Sequence, residues 1–206
     1  VNFDDPETYH LYYGNQTADP GTIMTFFPWT NSVKGRVGSG QVGRIAFRIP
    51  KGSLAYWNER LTSFNVMFDI TRLFLKSTIE FTDGHGLAIA LVEGDETSET
   101  PNILGFHGTI LLSSRPNQTI STLKDDLGLE IIEENAANTH LTTSGAEKHH
   151  IIVPKEVLPS GRFGIGTVHH IAWSIPNEMA HREWQEALYD NCLLYTSDAA
   201  DDGESV

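Results

Sequence analysis

The clearest pattern of apolar and polar positions along the chain occurs twice. Residues 38–50 align with residues 164–176 at an offset of 126, and residues 57–61 then align with residues 184–188 at an offset of 127. Each copy has the pattern of a strand, a turn marked by proline and an amphipathic helix. An interval this long is typical of a duplicated domain rather than of a solenoid repeat.

Shorter periodicities inside each half predict the individual elements. Helical spacing of apolar residues predicts helices over 54–61 and over 117–127, the second with Asn117 as N-cap and Gly128 just past its end. Strands are predicted at 22–27, 74–81, 87–92, 106–112, 129–133, 149–153 and 168–175. Residues 1–30 resemble the last strands of a preceding unit. We therefore expect repeated units of one strand, one helix and three strands.

Strand alternation assigns two histidines to equivalent places. In the strand over 168–175, His169 falls with three bulky residues that should pack under the helix, whereas His170 falls on a small, polar face that suits a cavity. In the strand over 106–112, His107 lies opposite Phe106 and Ile110. Neutral imidazoles bind iron, manganese, zinc or nickel, so His107 and His170 are either metal ligands or ordinary structural histidines.

The other histidines carry weaker signals. His149 and His150 open a predicted strand and fit a solvated strand end. His10, His85, His140 and His181 are expected in loops or on an exposed helix face. Arg44 occupies the position equivalent to His170 in the first half, so that half cannot build the same site.

Composition excludes several classes of function. The 206 residues include 14 Lys and Arg against 27 Asp and Glu, a formal net charge of −13, which disfavours nucleic acids and anionic membranes. The chain has no apolar run of 18 residues. One cysteine, Cys192, rules out a disulfide framework and a thiolate metal site. We therefore expect a cytoplasmic protein. The glycine-rich stretch over 35–43 leads into a strand and lacks the Gly-Lys-Ser/Thr ending of a phosphate loop.

The two ends of the sequence have distinct patterns. The start lacks methionine and opens within a strand pattern, as a sequence truncated at the front would. Residues 192–206 resemble the translation of a sequencing adapter, the alternative being an acidic, disordered tail. We divide the chain into an N-terminal half at 1–98, a C-terminal half at 99–191 and a tail at 192–206.

Several stretches together resemble a known group of proteins. They are VNFDDP at 1–6, YHLYYG at 9–14, PGTIMTFFPW at 20–29, GSGQVGRIAF at 38–47, GFH at 105–107 and GIGTVHHIAW at 164–173. These residues are similar to the vicinal oxygen chelate superfamily, and most of all to its ring-cleaving dioxygenases of hydroquinones and catechols. The resemblance implies an α+β fold of tandem βαβββ units that form curved mixed sheets with helices on the outer face, incomplete in this chain.

The same resemblance implies a site and a reaction. It implies iron(II), with manganese(II) as the other option, held by His107, His170 and a Glu expected beyond residue 191; the matching position in the first half is near Ala90. His150 is the acid–base candidate. The implied substrates are a small aromatic diol and O2, and pairing into a homodimer is left open. Two other functions stay open, namely a glyoxalase-like isomerase or lyase and a metal-free module that binds an aromatic compound or drug.

Overall fold

A computed structural model describes residues 9–175 and 177–190. The chain divides into two compact units, the first ending at His170 and the second beginning at Ile171. The second unit contains α3 (Glu178–Asp190). Asn177 directly precedes this helix, and its side chain accepts a hydrogen bond from the backbone N–H of Ala180 at 2.9 Å. None of the helices in the described part is long and apolar enough to cross a membrane.

The first unit contains two sheets. Two short strands form an antiparallel pair, β1 (Leu11–Tyr13) and β2 (Met24–Phe26). The main sheet has eight strands in the order β4-β5-β6-β3-β7-β10-β9-β8. Its strands are β3 (Gln41–Ile49), β4 (Phe68–Leu73), β5 (Lys76–Thr82), β6 (Ala88–Glu93), β7 (Gly105–Leu112), β8 (Glu130–Glu134), β9 (Asn138–Thr142) and β10 (His150–Pro154).

The strand order contains the predicted βαβββ unit twice. β3, α1 (Leu54–Ser63) and β4–β6 form one unit, and β7, α2 (Pro116–Ser121) and β8–β10 form the next. In each unit the first strand pairs in parallel with the last, and the two first strands join the units as antiparallel neighbours. This arrangement confirms the predicted α+β fold of tandem units. Strands before and after residue 98 belong to the same sheet. The predicted boundary between the two halves therefore falls between two repeats and not between two sheets.

Helices α1 and α2 lie on the outer face of the sheet. Leu61 of α1 packs against Ile49, Ile79 and Leu91 of the first unit's strands. In the second βαβββ repeat, α2 continues into a π-helical turn at Thr122–Asp126. Leu123 of that turn packs on Leu141. Gly128 follows with φ +70°, the left-handed conformation expected at a helix end. The predicted helices are therefore confirmed, although the cap of α2 is Arg115 rather than Asn117.

The sheet curls strongly. Phe74 lies in the turn between β4 and β5, and its ring is 5.6 Å from the ring of His140 on β9. Five strand spacings separate β5 from β9, so a flat sheet would place these strands about 24 Å apart. The contact requires the two ends of the sheet to approach each other, and the inner face therefore forms a cup.

The sequence patterns missed or misplaced some strands. β1, β4 and β9 were expected only as members of a unit and were not assigned to particular residues. The strand expected from residue 74 begins at Lys76, after a turn. The strand predicted over 168–175 is wrong, because residues 168–175 have no regular structure. A strand persists only where a neighbour completes its backbone hydrogen bonds, and no strand in the described ranges pairs with this segment.

Two glycine-rich segments lie against each other instead. Lys34, Arg36 and Ser39 form isolated bridges with Ile165, Arg162 and Ser160. A Cβ added at Gly38 or Gly164 would collide with the backbone of the opposite segment, so only glycine permits this approach. The stretch over 35–43 therefore serves backbone packing, in agreement with its not being a phosphate loop.

Strand β8 ends the main sheet. All five of its residues are exposed, with the sequence Glu-Ile-Ile-Glu-Glu. Lys155 binds Glu134 at 2.8 Å, and Lys148 lies 3.9 Å from Glu130. The edge of the sheet therefore carries acidic side chains around two exposed isoleucines.

Candidate functional site

A β-bulge determines where His107 points. Ala46 pairs with Gly108 and Phe47 pairs with Phe106, which leaves His107 as the extra residue of β7. A bulge shifts the alternation of side chains, and both His107 and Ile110 border the group around Phe74 inside the cup. The prediction that His107 and Ile110 lie on opposite faces of β7 is therefore wrong. His107 lies on the inner face of the sheet.

Three imidazoles meet inside the cup. The ring of His107 stacks on that of His150 with centroids 4.7 Å apart, and His140 Nε2 lies 3.0 Å from His150 Nδ1. The ring of Phe74 contacts all three. We name these three histidines the inner histidine cluster. The sequence placed His140 in a loop or on a helix face, and this was wrong because His140 lies buried on β9.

Burial keeps this cluster neutral. Desolvation, reinforced by the nearby His150 and Arg48, lowers the pKa of His107 to about 3. Desolvation and the neighbouring His140 lower the pKa of His150 to about 4, and burial also lowers the pKa of His140. The imidazoles are uncharged at neutral pH, which is the form that binds metals or accepts protons.

The turn that carries Phe74 is strained. Phe74 and Leu75 form a two-residue hairpin loop with φ of 53° and 62°, a conformation that favours Asn and Gly. Bulky side chains at both positions are costly, and the buried contacts of Phe74 inside the cup offset that cost. The sequence contains no turn signal here, so this covering residue could not be found from pattern.

The first unit's half of the cup holds an ion pair. Arg44 Nη1 lies 2.5 Å from Glu80 Oε2, and Glu80 pairs in register with Ala90. Ala46 pairs with both Ala90 and Gly108, and Gly108 pairs with His150. Ala90 is thus the repeat counterpart of His150 and has no ligand atom. Arg44, which the repeat aligns with His170, therefore has a carboxylate partner on β5.

His170 lies in different surroundings. It is exposed, and its Nδ1 is 2.9 Å from Nδ1 of His169. His169 is also exposed and lies edge-on to Phe163, with ring centroids 4.9 Å apart. The strand on which the expected packing of His169 under the helix depended does not form.

A row of aromatic rings continues from Phe163. Trp29 lies edge-on to Phe163 at 5.9 Å and 75°, Phe27 stacks on Trp29 at 5.1 Å, and His10 stacks on Phe27 at 4.1 Å. Desolvation and the charge of His170 lower the pKa of His10. The row therefore links residues 10–29 with the segment that carries His169 and His170. The sequence pattern did not reveal this row, although FFPW at 26–29 was part of the resemblance.

The inner histidine cluster has the side-chain chemistry of an iron(II) site but not the arrangement of one. The chemistry of neutral imidazoles fits iron(II), and Nε2 of His107 is buried without a hydrogen-bond partner. However, across residues 9–175 and 177–190 no group of three His, Cys, Asp or Glu side chains is arranged to hold a metal ion. The third ligand was expected beyond residue 191, outside the described residues. The described side chains therefore do not fit a complete iron site.

Comparison with known proteins supports the fold and the resemblance. No protein-family model matches the chain. MhqO and MhqE of Bacillus subtilis (strain 168), both named as ring-cleaving dioxygenases, are 39% and 37% identical to it over 198 and 203 residues. These alignments cover 91% and 94% of this chain, and 64% and 67% of the relatives. The chain belongs to the vicinal oxygen chelate superfamily. Within that superfamily it lies close to the hydroquinone dioxygenases.

Further similarities agree with this placement. A chlorohydroquinone/hydroquinone 1,2-dioxygenase of Sphingobium indicum is 26% identical over 198 residues, covering 87% of this chain and 60% of the relative. A solved dioxygenase structure from Bacillus subtilis is 38% identical with a TM-score of 0.87, covering 93% of this chain and 65% of that one. Glyoxalase I from Zea mays shares the fold alone, with a TM-score of 0.56 at 11% identity over 77% of this chain and 58% of its own. The chain spans about two thirds of the length of these dioxygenase relatives.

Proposed function

We propose that the protein containing this chain is a ring-cleaving dioxygenase that inserts O2 into a hydroquinone or catechol. The observation that carries the proposal is the identity of 37–39% to two relatives named as ring-cleaving dioxygenases, over nine tenths of this chain. The substrates would be a small aromatic diol and O2, and the cofactor iron(II) or manganese(II). The reaction would be of the extradiol type and would take place in the cytoplasm.

The two predicted ligands differ in how well they support this proposal. His170 is exposed next to an aromatic row, where a diol could reach it. His107 is buried, and its ring contacts those of Phe74 and His150. His107 and His150 therefore stay predictions as ligand and acid–base group, and the proposed activity does not depend on them.

The experiment uses the complete gene product that contains this chain, loaded with iron(II) under anaerobic conditions. Uptake of O2 is followed with hydroquinone and with catechol, and iron content is measured after desalting. We expect diol-dependent O2 uptake and its loss, together with bound iron, in His170→Ala. The exposed His85 supplies the matched control, since His85→Ala should keep both iron and activity.

The variant His107→Ala tests the second ligand. Loss of iron in this variant with an unchanged melting temperature would support His107 as a ligand. Retained iron would remove it from the site. Absence of O2 uptake with either diol in the iron-loaded wild-type protein would refute the proposed function.

A metal-free aromatic-binding module is the second candidate. It is favoured by the aromatic row, in which Trp29 and Phe163 keep exposed ring surface for an aromatic compound. That function predicts diol binding with no iron retention and no O2 uptake by the complete gene product. The isomerase alternative is tested in the same preparation by adding a hemithioacetal of glutathione and following its disappearance.

A further inference from the structure

We propose that Trp29 and Phe163 form a binding corner for the aromatic ring of the substrate. The inference rests on the proposed function and adds where on this chain the ring binds. We name this pair the aromatic corner. Its two rings belong to segments separated by more than a hundred residues, and the bridges between residues 34–39 and 160–165 bring those segments together.

The geometry of the two rings suits a flat ligand. Their planes meet at 75° with centroids 5.9 Å apart, so one side chain can stack on a bound ring while the other meets its edge. Both arrangements are favourable between aromatic rings, because the negative face of one ring attracts the positive edge of another. Trp29 is 38% exposed and Phe163 is 45% exposed, so both keep surface available for a ligand.

The surroundings of the corner suit the hydroxyl groups of a diol. Phe163 contacts the ring of His169, and His169 contacts that of His170, so two imidazoles lie at one end of the row. At the other end, Phe27 stacks on both Trp29 and His10. A ring held at the corner thus has aromatic surfaces on two sides, and the exposed imidazole of His170 lies further along the row.

The stacking of Phe27 behind Trp29 also fixes the indole. A preorganised aromatic wall binds a ring with a smaller loss of side-chain freedom than a mobile one. Gly164, which directly follows Phe163, approaches the backbone of Val33 so closely that a side chain there would collide. The backbone on both sides of the corner is therefore held in place before a ligand arrives.

The test measures binding without catalysis. Hydroquinone is titrated into the iron-free chain, in chelator and without O2, by calorimetry. We expect Trp29→Leu and Phe163→Leu to weaken binding by about threefold to tenfold each, the factor that loss of one aromatic pair contact implies. Leucine keeps an apolar side chain at each position but removes the flat face.

Phe64→Leu is the matched control, because Phe64 is 66% exposed at the end of α1 and contacts the guanidinium of Arg60. This variant should bind hydroquinone like the wild type. Cyclohexane-1,4-diol, which has hydroxyls but no aromatic face, should bind more weakly than hydroquinone. Unchanged melting temperatures would show that the corner variants are folded.

Three results would overturn the corner: no hydroquinone binding by the wild-type chain, equal binding by all three variants, or equal binding of the saturated diol. These outcomes are independent of the proposed function. If diol-dependent O2 uptake is the same in the corner variants as in the wild type, the dioxygenase proposal stands and the aromatic corner is refuted. If hydroquinone binding depends on the corner residues but no O2 uptake is found, the aromatic corner stands and the dioxygenase proposal is refuted.

Discussion

Acid should destabilise the fold through His107, and the size of the effect can be worked out. The pKa of this imidazole is about 3 in the folded chain, against about 6.5 in an unfolded one. Below pH 6.5 this imidazole is protonated in the unfolded chain but stays neutral in the folded chain. Its contribution to the free energy of unfolding is therefore fully present above pH 6.5 and is lost as the pH falls towards 3. Between pH 8 and pH 5 this single group should remove about 2 kcal/mol from the free energy of unfolding.

The assay is urea denaturation of the metal-free protein in chelator at pH 8 and at pH 5. His107→Gln removes the titrating group, so its free energy of unfolding should fall by about 2 kcal/mol less than that of the wild type over this interval. Any packing defect in the variant is present at both pH values and cancels in the difference. His85→Gln is the matched control, because it makes the same substitution at an exposed histidine outside the inner histidine cluster.

An equal loss of stability in His107→Gln and the wild type would refute the reasoning. It would mean that His107 is solvated, or that it is charged inside the cup. Because the ring of His150 stacks on that of His107, the comparison reports the titration of these two imidazoles together.

Further substitutions test the cup in other ways. Phe74→Ala should destabilise the fold by about 3 kcal/mol, because it removes the ring that covers the inner histidine cluster, and chemical denaturation would detect this. Leu75→Gly should instead stabilise the protein by up to about 1 kcal/mol, because Leu75 has φ 62° with half of its side chain exposed; an unchanged or lower melting temperature would contradict the strain argument. Gly108→Ala should cost more than about 2 kcal/mol, because a Cβ there would collide with the carbonyl of His150 on the adjacent strand; wild-type stability would show that β7 and β10 can separate.

The repeat and the apolar periodicities predicted much of the fold. They found α1, most of α2 and the strands whose apolar residues alternate or run together, such as β6 and β10. They missed β9, although Thr139 and Leu141 alternate with more polar neighbours, because the strand is short and contains His140 and Asn138. Periodicity cannot show which strands become neighbours, and so it could not predict that β3 and β7 join the two units.

The candidate site was harder to predict than the fold. Strand alternation correctly placed His107 on the cavity side but failed for Ile110, because a bulge leaves no mark in the pattern of one strand. The prediction for His169 and His170 assumed a strand, and strand formation depends on a partner elsewhere in the chain. The aromatic corner joins residues distant in sequence, so only tertiary structure can reveal it.

The acidic edge strand β8 has a consequence for handling the protein. An open edge with two exposed isoleucines is a template for pairing with a second molecule, and its glutamates oppose such pairing by mutual repulsion. Protonation removes that repulsion in acid, and Glu134 resists protonation because its hydrogen bond with Lys155 lowers its pKa. The protein should therefore begin to aggregate as the pH falls towards the usual pKa of a glutamate, about 4.3, with edge-to-edge polymers as the first particles. Lysine in place of Ile132 should prevent this aggregation.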